Sequence, residues 1–331
     1  MQTFFNDFKD RKVFYTKLTG MTVAALALGM VFPFIFSFIA DRAPLLAPIL
    51  KVEGTELGGT VILLPAGMFF LTLSCVILEA LLLGYENSTL KRVLADDSAS
   101  VRTDFLYLLL RISGLMMIFG LILTLGGLFP AVDFIKREFG FAVMADSDSI
   151  ALHFVAMAVV HTFINYWAHR ILHTKYLWVI HQVHHSAEHY NVLLPYRHHP
   201  VEFIIATLYG AFILGVLGIR PEAVMLWLGI NAVYQSMVHS NYDWKWKWVE
   251  YVLITPAAHR IHHSTKPAHF NSNLGILSIW DRLFGTYIAP TPGEIIDLGV
   301  GQPDQKKYNT DHFLAEIMAC FWRWLGLRRA T

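Results

Sequence analysis

The stretch HQVHH at residues 181–185 recurs as HRIHH at residues 259–263, and HRILH at residues 169–173 precedes both. On an α-helix, side chains three or four positions apart project from the same face. Each motif therefore predicts a helix that presents its imidazoles side by side. A further histidine in QSMVHSN completes the set of nine: His169, His173, His181, His184, His185, His239, His259, His262 and His263. Nine ligands exceed the needs of one metal ion and suffice for two.

The residue types restrict the metal. Imidazole is a good ligand for zinc, copper, iron and nickel, whereas magnesium and calcium prefer oxygen. Cys75 and Cys320 are the only cysteines, which is too few for a cysteine-based site. A structural zinc needs four ligands, and a dinuclear zinc hydrolase usually needs a nearby carboxylate, for which Glu188 and Glu202 are the closest candidates. Histidines that only cap helices or lie at a membrane interface do not account for three spaced motifs. Iron with oxygen as co-substrate agrees best with the apolar surroundings.

The composition is that of a membrane protein. The 331 residues are 55% hydrophobic and 15% charged, whereas soluble proteins average about 25% charged. The formal net charge of +1 provides no basic field for nucleic acid. We therefore exclude a nucleic-acid partner and expect contact with lipid.

Several uncharged or nearly uncharged runs are long enough to be transmembrane helices. Leu18–Ala40 has 23 positions without a charge, enough at about 1.5 Å per residue to cross a core of roughly 30 Å. The other predicted spans are Gly58–Gly84, Ile112–Val132, Ala151–Ala168, Phe203–Ile219 and Ala223–Val238. The last two are short and either cross a thinned bilayer or form a re-entrant hairpin. The fold class predicted is an all-α integral membrane bundle of four to six spans.

The distribution of basic residues orients this bundle. With six crossings, the N-terminus and the 85–103 loop share a side with all three histidine motifs, and they carry seven basic residues against four on the opposite side. The positive-inside rule then places the histidine-rich di-metal site at the cytosolic surface. We divide the chain into N-terminal transmembrane helices (1–140), a catalytic domain (141–290) and a C-terminal extension (291–331). The extension ends in an amphipathic stretch that lies on the membrane or packs on the domain.

The order of the motifs carries a resemblance. HRILH, HQVHH, a later single histidine, and TPAAHRIHH followed by NSNLGILSIWDRLFGTY together resemble the fatty acid hydroxylase superfamily of sterol desaturases, lipid hydroxylases and alkylglycerol monooxygenases, over about residues 150–290. The resemblance implies a membrane enzyme with two iron ions, which uses O2 and external electrons to hydroxylate or desaturate lipids. It also implies that the nine histidines above are the catalytic iron ligands.

Two positions depart from the family pattern. Gln235 stands where some members have a histidine four positions before His239, so Gln235 is a weak ligand, a hydrogen-bond partner of a ligand, or neither. Thr162 stands where many members have an acidic residue, so a carboxylate that orients an imidazole is missing or comes from elsewhere. We also predict that Asn241 and Asn273 support the metal ligands.

The run YRHHPVE at residues 196–202 resembles a sequence of bacterial members. Its Arg197, His199 and Glu202 are predicted either to form a polar latch over the substrate entrance or to include a simple Arg197–Glu202 ion pair. Because no targeting signal is legible, a bacterial inner membrane and an endoplasmic reticulum are both allowed. The absence of retrieval signals and this resemblance to bacterial members favour the bacterial inner membrane.

These observations predict a di-iron oxygenase that hydroxylates a C–H bond of an acyl chain, sterol, ether lipid or aminolipid. Desaturation begins with the same hydrogen abstraction and is the alternative on the same site. A dinuclear metal hydrolase and a metal transporter remain as alternative hypotheses from other functional classes. Because the sequence has neither a glycine-rich dinucleotide motif nor a cysteine cluster, we expect electrons from a separate protein or small reductant.

Overall fold

The computed structural model describes residues 57–95, 98–116, 128–140, 142–144, 146–243, 247–301, 305–308 and 313–326. Regular structure in these ranges is helical, apart from two isolated β-bridges. The α-helices are α1 (Leu57–Leu83), α2 (Thr89–Ala95), α3 (Ala99–Ile112), α4 (Leu128–Phe139), α5 (Ile150–Leu172), α6 (Trp178–His185), α7 (Glu202–Phe212), α8 (Pro221–Val238), α9 (Pro256–His262), α10 (Ser278–Leu283), α11 (Gln305–Tyr308) and α12 (Phe313–Trp324). The all-α fold class is thereby confirmed.

Helices α1 and α5 lie where the sequence predicts apolar helices at Gly58–Gly84 and Ala151–Ala168. The start of α5 is fixed by Ser149, whose side chain accepts a hydrogen bond from the backbone N–H of Leu152. Helix α8 packs along both α5 and α1. The predicted span Leu18–Ala40 lies outside the described residues.

Helices α7 and α8 form the predicted hairpin. Helix α7 continues into one π-helical segment, Ile213–Leu217, and Gly218 then adopts a left-handed conformation with φ of 63°. Arg220 is extended and Pro221 opens α8, because proline suits the first turn of a helix and cannot continue the preceding one. The chain therefore reverses over three residues.

The predicted span Ile112–Val132 lies only partly within the described residues, and it does not continue from α3. Helix α3 ends at Ile112, Ser113 caps it, and Gly114 has a φ of 76°. Glycine often ends a helix in this left-handed conformation, because it has no Cβ that would clash with the backbone. The described residues are helical again in α4 (Leu128–Phe139), and residues 117–127 lie outside the described ranges.

Three helices expose apolar side chains along their length. The exposed set includes Phe70, Ile77 and Leu81 on α1, Leu152, Val155, Val159 and Ile171 on α5, and Met225, Leu226, Leu228 and Ile230 on α8. Among the described residues, α5 is the one helix long and apolar enough to cross a membrane, and the apolar parts of α1 and of α7 with its π-helical extension are shorter. Exposed apolar surface of this extent indicates a non-aqueous contact.

A buried ion pair joins α3 to the end of α6. Arg197 is fully buried, donates to Asp104 on α3 at 2.9 Å, and also donates to the Val183 carbonyl and the Ser186 hydroxyl at the end of α6. The predicted Arg197–Glu202 pair is therefore wrong. The guanidinium pairs with Asp104, which is distant in sequence, and Glu202 instead accepts hydrogen bonds from histidines.

The C-terminal helix α12 packs on the domain, which decides between the two positions predicted for the amphipathic tail. The Cys320 thiol donates to the Val179 carbonyl of α6, and the His199 ring bonds the Ile317 carbonyl. Cys320 is fully buried in this contact.

We expect Arg197→Met to lower the free energy of unfolding by about 3–5 kcal/mol, because it leaves the Asp104 carboxylate buried without its partner. Arg220→Met is the matched control, since Arg220 forms an exposed pair with Glu222, and it should leave stability unchanged within error. Denaturant titration of the full chain in detergent measures both. Equal losses in the two variants would contradict the role of the buried pair.

Candidate metal centre

Four helices end at one place. His169 and His173 lie in the last turn and at the C-terminal cap of α5, and His181, His184 and His185 lie on the short helix α6. His239 caps α8, and His259, His262 and His263 lie at the end of α9 and its cap. The C-terminal end of a helix carries a partial negative charge from its free carbonyls. The convergence of such ends favours a cation between them.

The nine histidines form two contiguous groups. In the first, ligand nitrogens of His169, His173, His181, His185 and His262 all lie within 4.8 Å of one another, and in the second, those of His184, His239, His259 and His263 do so. The groups touch through His185 and His263, whose rings stack with centroids 4.4 Å apart. The structure thus gathers every histidine that the sequence predicts as a metal ligand.

Hydrogen bonds fix the tautomers of three imidazoles. His169 Nδ1 lies 2.7 Å from the Leu274 carbonyl, His262 Nδ1 2.8 Å from the Ser272 carbonyl, and His239 Nδ1 2.7 Å from the Gln235 carbonyl. A carbonyl oxygen only accepts, so each Nδ1 carries the proton and each Nε2 presents a lone pair. This is the arrangement found in metal-binding imidazoles, in which the distal nitrogen is held by a hydrogen bond.

One pair of nitrogens tests whether the site suits a metal. The Nε2 atoms of His169 and His181 are 3.1 Å apart. His169 donates through Nδ1 to Leu274 and His181 through Nδ1 to Glu202, so both Nε2 atoms present lone pairs that repel each other. Two nitrogens bound to one ion at about 2.1 Å and at right angles lie about 3.0 Å apart. A shared cation therefore removes the repulsion at the observed spacing.

Other nitrogens in the groups are buried without a hydrogen-bond partner. They include Nε2 of His173, His185, His262 and His263. Burial lowers the pKa of His184, His185, His262 and His263 well below the usual value, and neighbouring imidazoles lower it further. Neutral imidazoles with free lone pairs are the form that binds a metal.

Glu202 supplies the carboxylate that the sequence left unassigned at Thr162. Its Oε2 accepts from Nδ1 of His181 at 3.2 Å and from Nδ1 of His198 at 2.9 Å, and its Oε1 accepts from the backbone N–H of His199. His198 in turn stacks on His184 with ring centroids 4.7 Å apart. Glu202 therefore orients one ligand of the first group directly and supports one ligand of the second through His198.

Asp281 holds the backbone that orients His169. Its carboxylate accepts from the backbone N–H groups of Leu274 and Gly275, both at 2.8 Å, and from the Thr286 hydroxyl at 2.7 Å. A Cβ on Gly275 would lie 2.7 Å from this carboxylate, so only glycine fits there. The Leu274 carbonyl is thereby fixed against His169.

The three predicted supporting residues differ in position. Gln235 lies on the cavity wall beside the second group, and its backbone carbonyl, not its side chain, holds His239. The side chain of Asn241 donates to the Tyr190 carbonyl, and its backbone N–H donates to the buried carboxylate of Glu79. Asn273 joins α9 to the loop before Ala289 through the carbonyls of Ala258 and Ile288. Their contribution to metal binding stays a prediction.

The sequence missed the roles of the Glu202 carboxylate and the carbonyls of Leu274 and Ser272. The RHHPVE run marks Glu202 as a charged residue at a helix start, which is a usable signal. The carbonyls have no side-chain signal, because every residue carries one.

A cavity of about 770 Å³ opens beside the two groups. His169, His181, His184, His239 and His259 line one part of it, and apolar side chains line much of the remainder. Its volume falls within the range of small-molecule sites. A molecule in the cavity would contact both groups of histidines.

We expect Glu202→Gln to reduce metal affinity about 10- to 100-fold. An amide has one accepting oxygen, so its NH2 group would face either the two imidazoles that share Oε2 or the backbone N–H of His199. Metal content by mass spectrometry after dialysis against graded chelator measures the affinity. Glu222→Gln, at an exposed position, is the control and should bind metal as the unaltered protein does. Equal retention by the two variants would contradict the orienting role.

We expect the metal-free protein to lose stability as the pH falls below about 6.5. The folded pKa of His184, His185, His262 and His263 is lowered by burial, so the unfolded chain takes up protons first. The free energy of unfolding then decreases with falling pH, by up to about 1.4 kcal/mol per pH unit for each such imidazole. Urea titration of chelator-treated protein between pH 8 and about pH 5 checks this, and a flat profile would contradict it.

Comparison with known proteins agrees with this geometry. Residues 154–286 match the fatty acid hydroxylase family. Alkylglycerol monooxygenase of Danio rerio is 35% identical over 40% of this chain and 29% of its own length, and ornithine lipid hydroxylase of Rhizobium tropici is 34% identical over 47% of each chain. A putative methylsterol monooxygenase of Dictyostelium discoideum is 30% identical over 41% of this chain and 51% of its own length. No solved structure matches the chain significantly.

The matched region thus spans about a third to a half of the length of these relatives. It contains all nine clustered histidines, Glu202, and the Asn273–Asp281 loop that the structure places against them. The histidine-rich part of this chain, residues 154–286, is thus similar to the fatty acid hydroxylase family.

Proposed function

We propose that the protein is a membrane-bound di-iron oxygenase that hydroxylates a C–H bond of a lipid, using O2 and electrons from a separate reductant. The observation that carries the proposal is that the Nε2 atoms of His169 and His181 face each other at 3.1 Å inside a group of five histidines. A second group of four histidines lies next to it. The family relationship supports iron as the metal. Iron held by the two groups would supply the oxidation chemistry with O2.

The protein's own residues hold and shield the site. Glu202 and the carbonyls of Leu274, Ser272 and Gln235 keep the Nε2 atoms of their imidazoles free of protons. Trp178 packs on His173 and His185 with ring centroids 5.0 Å away, and Tyr190 packs on His239 at 5.5 Å. These rings limit water at the histidines, and the cavity brings an apolar molecule to them.

The outward apolar faces of α1, α5 and α8 support membrane insertion. Side chains such as Leu81, which is 79% exposed, and Phe70, which is 63% exposed, are stable in this position only against a non-aqueous phase. We propose four to six spans, with the histidines at the cytosolic end of α5 and α8. A bacterial inner membrane is the proposed location.

The hydrolase alternative needs a free carboxylate as base. Both oxygens of Glu202 accept hydrogen bonds from His181, His198 and His199, and Glu188 is exposed. In the described part of the chain no other acidic side chain joins the two groups of histidines. The arrangement therefore favours oxidation over hydrolysis, whereas hydroxylation and desaturation share these contacts.

The relatives act on lipids of different chemistry, as their names state: an alkylglycerol, an ornithine lipid and a methylsterol. The common element is a lipid whose C–H bond must reach the histidine-lined wall of the cavity. We propose an acyl, ether, sterol or aminolipid substrate on this basis. The electron donor is proposed as a separate protein or small reductant.

We expect cells that express the unaltered chain, grown with iron under ¹⁸O2, to contain a lipid with one labelled oxygen that is absent with His262→Ala. His262 is buried within the first group and has an unpartnered Nε2, so its loss should lower the amount of labelled lipid at least 100-fold. Lipid mass spectrometry makes the comparison. His189→Ala is the control, because His189 lies outside both groups.

A product that lacks two hydrogens, with no label, would assign desaturation instead. Identical lipid profiles for the unaltered chain and His262→Ala, when reductant is present and both proteins accumulate, would refute the oxygenase.

A further inference from the structure

The wall of the cavity beside the histidines carries a positively charged side chain. Arg111, in the last turn of α3, lines the same space as His169, His184 and His239. The wall around it is largely apolar, with residues such as Met116, Leu71 and Ile205. A guanidinium in such surroundings loses much of its hydration, which is unfavourable unless an anion or a set of acceptors compensates.

In the described part of the chain, Arg111 has no acidic partner. The salt bridges of the other arginines reach Glu138, Asp104, Glu222, Asp243 and Glu316, and none reaches Arg111. The ionisable groups close enough to interact with its charge are the phenols of Tyr196 and Tyr209, which are neutral at pH 7. The guanidinium also lies over the Phe203 ring, 5.4 Å from its centroid.

The other charged side chain of the cavity cannot serve Arg111. Glu202 lines the cavity but already accepts hydrogen bonds from His181, His198 and the backbone of His199. The N–H groups of Arg111 that face the cavity are therefore available to a ligand. A guanidinium donates to the two oxygens of a phosphate or carboxylate in a planar fork.

We propose that Arg111 binds the anionic group of the lipid substrate, a phosphate or carboxylate, and so determines which lipids enter the cavity. This inference rests on the proposed function and deepens it, because it names the substrate class. A lipid with an anionic headgroup satisfies the cation at Arg111, and its apolar chain occupies the remaining wall. An uncharged lipid such as a sterol leaves the guanidinium without a counter-charge.

Arg111 is also placed to determine which carbon reacts. It packs on Phe203, and Phe203 directly follows Glu202, which holds His181. The anchor and the metal ligands are thus connected through one turn of α7. Arg111 is a positioning residue: it fixes one end of the substrate, and the length of the lipid between this end and the histidines selects the carbon that reaches them.

Binding of defined lipids to the purified full chain in neutral detergent tests the proposal without any turnover. The probes share one oleoyl chain: lysophosphatidic acid, oleic acid and monooleoylglycerol. Quenching of tryptophan fluorescence by brominated analogues of each gives the Kd. We expect at least one anionic probe to bind the unaltered protein at least tenfold more tightly than monooleoylglycerol, because charge-assisted bonds to a desolvated guanidinium are strong.

Three variants locate the effect. Arg111→Met should remove the tenfold preference and leave monooleoylglycerol binding unchanged, whereas Arg111→Lys should retain part of it. Arg102→Met removes a charge from the same helix at a position that does not line the cavity, and it should keep the preference. Metal content and melting temperature equal to those of the unaltered protein confirm that each variant is folded.

The outcomes separate this proposal from the proposed function. Equal affinity of the unaltered protein for anionic and neutral probes overturns the role of Arg111, and needs no variant that might misfold. Retention of the preference by folded Arg111→Met overturns it as well. Preference for lysophosphatidic acid over oleic acid assigns a phosphate, and the reverse assigns a carboxylate. Because no oxidation is measured, failure of the oxygenase assay leaves this result standing, and a labelled product with no charge preference leaves the oxygenase standing.

Discussion

The site depends on one constraint: its hydrogen bonds orient the imidazoles so that nitrogen lone pairs face and repel each other unless a cation lies between them. The carbonyl of Leu274 and the carboxylate of Glu202 accept hydrogen bonds from the Nδ1–H groups of His169 and His181, and the Nε2 atoms of these two residues then lie 3.1 Å apart. This pair lies among nine largely buried imidazoles in two groups. Without a cation such a cluster is unfavourable, because protonation is opposed by burial and neutral lone pairs repel. Metal binding and folding of this region are therefore coupled.

The remainder of the catalytic region positions these nitrogens. Helices α5, α8 and α9 place a histidine at or next to their C-terminal cap, where the free carbonyls favour positive charge. Asp281 fixes the loop that carries the Leu274 carbonyl, and the close approach of its carboxylate excludes any side chain at Gly275. The buried pair of Arg197 and Asp104 joins α3 to the end of α6. The metal ligands are thus held by backbone and carboxylate groups contributed from distant parts of the chain.

The cavity links this centre to the proposed lipid substrate. Its polar wall is formed by the histidines and its other walls by apolar side chains, so an amphipathic molecule fits better than either a polar metabolite or a plain hydrocarbon. The cation at Arg111 adds a preference that the metal ligands cannot provide, because imidazoles bound to metal offer no contact specific for a headgroup. The relatives are named for lipids of different chemistry, and we propose that the cavity wall determines the choice of lipid.

The sequence by itself determined the nine histidines that cluster, the all-α class and the positions of α1, α5, α7 and α8, because helical spacing and apolar length are local properties that each segment carries alone. The break after Ile112 was missed because apolar composition outweighed a single glycine at position 114. Only the tertiary structure decided how the histidines divide into five and four, which carbonyls fix their tautomers, and that Arg197 pairs with Asp104 rather than Glu202. These contacts join residues up to about a hundred positions apart, and packing of the helices, not spacing along the chain, determines which groups meet.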